Sequence, residues 1–227
     1  MLYDETAVRD NIRNREGKRV FFLGKEDRLT PSARDYLNRE RIPILPAEQA
    51  KIHRHSLLGG GYMDEKPEHM THLYGDVLVH KSHPRIRFRG AVDTLEAELL
   101  LCQSHCKALC KPLQELLDLA RRLISSEVLG EPLKETTLCG LNEAEIRKRS
   151  HFPQEYYGQP HFMPEASHGD VVLQLNRCRC AARSVELAAA EAFTDAEGNC
   201  TRPDLLRALN RMSSMLYLLM IQQKAKQ

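Results

Sequence analysis

Apolar residues recur at spacings of three and four in the second half of the chain, and this pattern predicts amphipathic helices. Pro112 lies inside the first stripe and predicts a break near residue 108, because proline lacks the amide hydrogen that a helix interior requires. Helices with one apolar face bury it against one another, so the pattern predicts an all-α bundle. The stripe positions are Val92, Leu95, Leu99, Cys102, Cys106, Leu109, Leu113, Leu116, Ala120 and Leu123 in the first, Leu175, Cys178, Ala182, Val185, Ala189 and Ala192 in the second, and Leu205, Leu209, Met212, Leu216 and Leu219 in the third.

The first 70 residues carry helix-start and breaker signals instead of a long stripe. Thr30 followed by Pro31 predicts the start of a short helix over about residues 31–39. Proline and glycine interrupt residues 43–70 repeatedly, which favours a flexible linker there. We therefore expect an N-terminal appendage and linker over residues 1–70 and a helical domain over residues 71–227.

Two local signals place further helices in the second half of the chain. Asn142 and Glu145 have the spacing of a capping box and predict a short helix over about residues 143–150. Pro203 marks the start of the last helix, after a turn at residues 195–199.

Composition and charge exclude several classes of protein. The chain of 227 residues has 33 basic and 31 acidic residues, a balance that gives no support to nucleic-acid binding. No apolar run approaches about 18 residues, so no membrane span is expected. The charged N-terminus lacks the apolar core of a signal peptide. The seven cysteines show no disulfide framework, which favours a cytoplasmic protein with reduced thiols.

Polar residues at regular spacing on two predicted helices are the first candidates for chemistry. Arg179 and Arg183 lie four residues apart, Glu186 lies three further on, and each follows a core position by one residue. Guanidinium groups beside a packing seam favour a bound anion. The alternative is a solvated face with an Arg183–Glu186 ion pair. Asn210 and Arg211 lie in an otherwise apolar helix, where an exposed polar side is again the alternative.

A basic stretch, residues 80–89, precedes the first predicted long helix. Anions bind favourably at helix N-termini, because free backbone N–H groups and the helix dipole point toward them. Gly75 and Asp76 come shortly before this stretch. A carboxylate beside a cationic loop suits a polyphosphate with Mg²⁺.

Three motifs, taken in order, carry a resemblance to a known family. They are KSHPRIRFRGAVDTL from Lys81, CRCAARSVE from Cys178 and ALNRMSSMLY from Ala208. This set resembles the ATP:corrinoid adenosyltransferases, and GLNEAEIRKRSHFP, FMPEASHG and DRLTPSARDYL resemble the ethanolamine-utilisation branch of that family. The resemblance implies a ferritin-like bundle of four or five helices. It also implies transfer of the 5′-deoxyadenosyl group of ATP to cobalt(I) of cobalamin, with release of triphosphate.

The resemblance also implies roles for individual residues. Lys81, Arg179 and Arg183 would bind the phosphates and assist catalysis, while Glu186 and Asn210 would contact the nucleoside side or the helix framework. The remaining ATP-binding candidates are Gly75, Asp76 and Arg85. Asp93 matches an aspartate that pairs with an arginine across a subunit interface, and it is also a cobalamin-binding candidate. Phe162 lies near the position of an aromatic that covers the lower face of the corrin, and His161 fits that spacing equally well.

The same resemblance implies partners and surroundings. Mg-ATP and cobalamin would be the substrates, and the protein would be a homo-oligomer, a trimer with ATP between subunits or alternatively a dimer. A reductase and ethanolamine ammonia-lyase would be its protein partners, in the cytoplasm and within or beside the ethanolamine microcompartment.

This chain departs from the family pattern at three places. The glycine-rich ATP loop is reduced to Thr71-x-x-x-Gly75-Asp76, Ser214 replaces an aspartate, and the branch's H-x₁₁-C-C-x-x-C metal motif is absent. We therefore expect no bound transition metal.

A rival interpretation rests on cysteines of the first stripe. Cys102, Cys106 and Cys110, with His105, share one helix face and are of a ligand type that binds zinc. Cys102 and Cys106 also fall on the apolar stripe, where a reduced cysteine acts as a small hydrophobic residue. The rival function is a metal-binding or scaffold helical protein of the ethanolamine-utilisation compartment.

Overall fold

The structure, a computed structural model, describes residues 1–15, 18–48, 55–63, 65–135 and 137–227. The chain divides into two compact units, residues 1–67 and 68–227. The first unit contains two short helices and several short strands, and the second is mostly helical. The prediction of an all-α chain is confirmed only in part, because the chain is mainly helical but also contains small sheets.

The first unit consists of small paired strands and two helices. Strand β1 pairs in parallel with β4, β2 is antiparallel to β3, β3 is parallel to β5, and β6 is antiparallel to β7. The described part of the expected linker, residues 43–70, thus contains strands that the sequence analysis did not foresee. The elements are β1 (Leu2–Tyr3), α1 (Glu5–Asp10), β2 (Arg13–Arg15), β3 (Lys18–Leu23), β4 (Arg28–Leu29), α2 (Pro31–Arg39), β5 (Ile44–Pro46), β6 (His55–Leu57) and β7 (Tyr62–Met63).

Helix α2 begins where the sequence predicts. The Thr30 hydroxyl accepts a hydrogen bond from the Ala33 amide, and Pro31 occupies the first helical position. Its buried face contributes Ala33, Tyr36 and Leu37 to a small core with Val8, Phe21 and Ile42. The first unit therefore has its own apolar centre.

The second unit places a hairpin before a group of helices. Its strands are β8 (Met70–Tyr74) and β9 (Val77–His80), which are antiparallel. Every position of the first and third predicted stripes is buried, and the second stripe is buried except for Ala192, which is half-buried. The helices are α3 (Pro84–His105), α4 (Cys110–Leu129), α5 (Glu143–His151), α6 (Pro153–Tyr157), α7 (Gly169–Phe193) and α8 (Pro203–Lys224).

The predicted break in the first stripe is confirmed. Helix α3 ends at His105, a single 3₁₀ turn follows, and α4 begins at Cys110. Pro112 lies in the first turn of α4, where no amide hydrogen is needed for the helical ladder. The capping box of α5 is also confirmed, with Asn142 and Glu145 each accepting from the other's amide.

Helices α3 and α7 lie antiparallel against each other. The Phe88 ring near the start of α3 contacts the Phe193 ring at the end of α7, with centroids 5.4 Å apart. Farther along α3, Glu98 pairs with Arg177 at 2.8 Å. Residues at the start of α3 are therefore level with the end of α7.

A buried carboxylate connects the start of α3 to the end of α4. Glu127 has a fully buried side chain, and it accepts from Arg85 Nε at 2.5 Å and from Arg89 Nε at 2.7 Å. Arg202, just before α8, donates to the Ser126 hydroxyl at 2.6 Å. One turn of α4 therefore anchors the starts of both α3 and α8.

Candidate functional site

The side chains of two arginines of α7 line a cavity between α5, α7 and α8. Arg179 and Arg183 are one turn apart on α7, and both line this cavity of about 280 Å³. Its other walls are His161 and polar residues of α5 and α8, namely Ser150, His151, Ser213, Ser214 and Tyr217. We call this space the clamp cavity.

The two arginines have no carboxylate partner among the residues that the structure describes. Arg179 donates from Nε and a terminal nitrogen to the Asn176 side-chain oxygen, at 3.1 and 3.0 Å. Arg183 is exposed and forms no described ion pair. An arginine pair without a counter-charge attracts anions and is suited to phosphate, whose oxygens match the guanidinium fork.

Glu186 is held by α8 and not by Arg183. The Asn210 side-chain amide donates to Glu186 Oε1 at 3.0 Å, and the Asn210 oxygen accepts from Arg211. The alternative of an Arg183–Glu186 ion pair is therefore not realised in the described chain. Two predicted site residues, Glu186 and Asn210, are brought into direct contact.

A second cavity of about 370 Å³ adjoins the first, with Arg179, His161 and Tyr217 in both walls. Its remaining walls are Phe162, Met163 and Pro164, which belong to the irregular segment before α7. Met163 is 80% exposed at this cavity. The shared walls make the two spaces one cationic and aromatic recess.

Tyr217 of α8 positions the segment that carries the aromatic candidates. Its hydroxyl accepts from the Phe162 amide at 3.1 Å and lies 3.2 Å from His161 Nδ1. Its ring stacks on both the His161 and Phe162 rings, with centroids 5.8 and 6.0 Å apart. Lys224 Nζ lies 4.2 Å from the Phe162 centroid, which favours a cation–π contact.

The remaining ATP-binding candidates lie on the β8–β9 hairpin and at the start of α3. Gly75 has a positive φ of 47° in the β8–β9 turn, Asp76 follows it, and Lys81 lies exposed before α3. Arg85 is committed to Glu127, and its guanidinium also lies over the Tyr74 ring. None of these residues lines the clamp cavity.

The separation follows from the antiparallel packing of α3 and α7. Arg183 lies ten residues before Phe193, which at 1.5 Å per residue is about 15 Å along α7. Phe193 is level with Phe88 near the start of α3, and Lys81 precedes that start by three residues. Asp93 is roughly level with Arg183 but is exposed on α3.

Two of the three cysteines of the rival interpretation, Cys102 and Cys106, are part of the core, and Cys110 is half-buried. The hydrogen bond with Cys178, followed by burial, raises the pKa of Cys102 far above its usual range. Burial raises the pKa of Cys106 to about 11, and the Cys110 thiol donates to the Gln103 carbonyl. Thiols in this state pack as small apolar groups.

Sequence reasoning missed several residues of the recess. They are Ser150, His151, Met163, Pro164, Ser213 and Tyr217. One signal was available, since Tyr217 lies seven residues after Asn210 and shares its helix face. The role of α5 could not be foreseen, because its contact with α8 is distant in sequence.

Comparison with known proteins identifies close relatives. A family model described as cobalamin adenosyltransferase matches residues 61–223. The corrinoid adenosyltransferase EutT of Salmonella typhimurium strain LT2 is 35% identical, over 98% of this chain and 92% of the relative. The protein of the same name from Escherichia coli K12 is 33% identical over the same shares. No solved structure matches significantly, and no helix in the described ranges is long and apolar enough to cross a membrane.

Proposed function

Because the chain belongs to the cobalamin adenosyltransferase family, we propose that it transfers the 5′-deoxyadenosyl group of ATP to cobalt(I) of cobalamin. The ethanolamine-utilisation relatives extend the proposal to adenosylcobalamin made for ethanolamine ammonia-lyase. One observation supports placing the reaction at a particular site. Arg179 and Arg183 lack a carboxylate partner in the described chain and open into a recess walled by His161, Phe162 and Tyr217.

The chemistry needs cationic groups more than a general base. The cobalt(I) electron pair attacks C5′ of ATP, a cobalt–carbon bond forms, and the C5′–O bond breaks with its electron pair on triphosphate. Negative charge therefore grows on the leaving group in the transition state. Fixed guanidinium groups stabilise that charge, and Arg179 and Arg183 are the residues suited to do so.

The aromatic side of the recess suits the corrin. Phe162 is held by Tyr217, His168 and Lys224, so its ring can cover an apolar face without first being ordered. Met163, which is 80% exposed, adds flexible apolar surface at the same cavity. Exclusion of a lower axial ligand by such a surface would ease reduction of the substrate to cobalt(I). His161 lines the same wall.

Mg²⁺ is part of the proposal because ATP binds as its magnesium complex. The exposed Asp76 in the Gly75 turn offers a carboxylate of the type that holds Mg²⁺ or its waters. Lys81 lies close behind it in sequence and supplies a positive charge for the phosphates.

The distance between the two cationic groups supports a site shared between subunits. Within one chain, the first turns of α3, which Lys81 precedes, lie about 15 Å from Arg183 along the bundle axis. A second copy could bring its Lys81 group to the clamp cavity, as in a trimer or, alternatively, a dimer. Asp93 is exposed on α3 and free to meet an arginine of that copy.

The finer architecture and the surroundings belong to the same proposal. A core shared by α3, α4, α7 and α8, with α5 against α8, supports a ferritin-like bundle of four or five helices. The family resemblance favours a cytoplasmic location within or beside the ethanolamine microcompartment. It also favours a reductase as partner.

Anaerobic incubation of the purified protein with cob(I)alamin and Mg-ATP tests the activity directly. We expect the absorption spectrum of an alkylated cobalamin to appear only when ATP is present, together with one triphosphate per product. A protein that binds neither substrate, or that hydrolyses ATP without alkylating cobalt, would contradict the proposal.

Complementation tests the shared site. Lys81→Ala and Arg183→Ala are each expected to be inactive alone. Co-expressed, they should form mixed oligomers that recover about a quarter of wild-type activity, because some sites then join two intact halves. If each variant is inactive alone and the mixed oligomers are inactive too, both residues act within one chain and the site is not shared.

A further inference from the structure

A third cavity, rich in arginine, lies nearer the start of α8 than the clamp cavity. It has a volume of about 550 Å³ and lies between α5, α8 and the segment before α5. Three arginines line it, namely Arg147 of α5 and Arg207 and Arg211 of α8. Its remaining walls are Glu135, Asn142, Glu143 and Ala144. We call it the arginine cavity.

The charge of this cavity is not balanced by its walls. Three guanidinium groups face two carboxylates, those of Glu135 and Glu143, which leaves one positive charge. None of the three arginines forms an ion pair with any residue in the described ranges. The surface arginines Arg87 and Arg177, in contrast, each pair with a glutamate at 2.8 Å.

Arg211 differs from the other two arginines in that one of its guanidinium nitrogens is buried. Its Nε is buried and has no hydrogen-bond partner in the described chain, while a terminal nitrogen donates to Asn210. Burial and then the nearby Arg147 guanidinium lower the pKa of Arg211, against the opposing effect of Glu143 and Glu186. Arg211 is half-buried and forms no ion pair in the described chain, so an anion in the cavity would stabilise its charge.

The arginine cavity is separate from the clamp cavity. The two spaces share no lining residue. They follow one another along α5, where Arg147 and His151 are one turn, or about 6 Å, apart. An anion bound at Arg147 would therefore lie beside the clamp cavity without displacing a phosphate from Arg183.

We propose that the arginine cavity binds an oligophosphate anion at a site distinct from the Arg179–Arg183 pair. Planar guanidinium groups bind phosphate oxygens two at a time, and several phosphates outweigh the two carboxylates of the walls. The triphosphate released by the proposed reaction is one such anion. That identification rests on the proposed function, whereas the anion site itself does not.

Calorimetric titration with inorganic tripolyphosphate tests the site. The titration omits cobalamin and magnesium and uses the Arg183→Gln protein, so that the clamp contributes little. Adding Arg147→Gln or Arg207→Gln should weaken binding about tenfold or more each, because each removes a charge-assisted hydrogen bond. Adding Arg177→Gln, which removes the same charge elsewhere on the surface, should leave the affinity unchanged.

A variant that is expected to bind tripolyphosphate more tightly distinguishes loss of the site from loss of folding. Glu143→Gln removes a carboxylate from the cavity wall and should tighten tripolyphosphate binding severalfold. The proposal is wrong if tripolyphosphate does not bind, if Arg177→Gln weakens binding as much as Arg207→Gln, or if Glu143→Gln has no effect. The two sites are not distinct if Arg207→Gln, made in the otherwise wild-type protein, weakens the binding of ATP as much as the binding of tripolyphosphate. If the protein proves to have no adenosyl-transfer activity, the proposed function fails, but the tripolyphosphate titration still tests the anion site.

Discussion

The Asn210 amide donates to Glu186 Oε1 across 3.0 Å, and this bond keeps the carboxylate away from Arg183 on the same helix. Glu186 lies three residues after Arg183, a spacing at which an ion pair would otherwise form. The contact between α7 and α8 therefore leaves Arg183 available for an anion. Asn210 of α8 thus leaves the positive charge of Arg183 on α7 without neutralisation by Glu186.

Arg183→Ala should abolish adenosyl transfer and leave the helical circular dichroism unchanged. Loss of one fixed cation at the leaving group should lower kcat by about 100- to 1,000-fold. Arg177→Ala is the control, because Arg177 lies on the same helix but pairs with Glu98. Retained activity in Arg183→Ala would remove this residue from the phosphate clamp.

Asn210→Ala should raise the KM for ATP about tenfold, because Glu186 is then free to pair with Arg183. The effect should shrink to less than about threefold in a Glu186→Gln background, where no carboxylate remains to compete. Steady-state kinetics of the four proteins form a double-mutant cycle. Equal effects in both backgrounds would show that Asn210 acts without Glu186.

The sequence predicted the helices well because their signals are local. The stripes, the Thr30 cap, the Asn142 capping box and the break near Pro112 each depend on residues a few positions apart. The strands of the first unit are two to six residues long and pair with distant segments, so periodicity could not reveal them. Arg179 and Arg183 were found from spacing, whereas the Asn210–Glu186 bond joins two helices and required the structure.

Tyr217→Phe should loosen the segment that carries Phe162. The substitution keeps the stacked ring but removes the hydroxyl that accepts from the Phe162 amide. We expect a loss of about 1 kcal/mol in the free energy of unfolding and a severalfold higher KM for cobalamin. Tyr62→Phe, at an exposed tyrosine of the first unit, should change neither quantity. An unchanged KM for cobalamin would separate this segment from corrin binding.

Glu127→Ala should lower the free energy of unfolding by about 3–5 kcal/mol, because it leaves two guanidinium groups partly buried without their counter-charge. The matched control is Glu96→Ala, which breaks a more exposed pair with Arg121 and should cost less than about 1 kcal/mol. Chemical denaturation measures both. Equal losses would show that the Glu127 pairs contribute no more than surface ones.

Stability should fall as the pH is lowered below about 6.5, in part through His83. Burial, then Arg85 and Arg89, lower the pKa of His83 from its usual 6.5. The unfolded chain therefore binds the proton more readily than the folded chain as the pH falls through 6.5, and unfolding becomes easier. Protonation also removes the Nδ1 acceptor that caps α3 at the Arg85 amide.

His83→Asn tests this titration, because asparagine can cap the helix without binding a proton. Melting curves between pH 7.5 and 5.5 should show a smaller loss of Tm in the variant than in the wild type. Parallel curves for the two proteins would show that His83 does not contribute to the pH dependence.

The contacts of the last turn of α4 determine which end of the helices in the second unit separates more easily. Ser126 and Glu127 fasten the starts of α3 and α8 at one end, about 15 Å or more along α8 from Ser214 and Tyr217. We therefore expect the helices to fluctuate most at the far end, where the Phe162 segment is held by the Tyr217 hydroxyl, ring contacts and Lys224. Amide protons there should exchange first, and a bulky planar substrate could enter without breaking a buried ion pair.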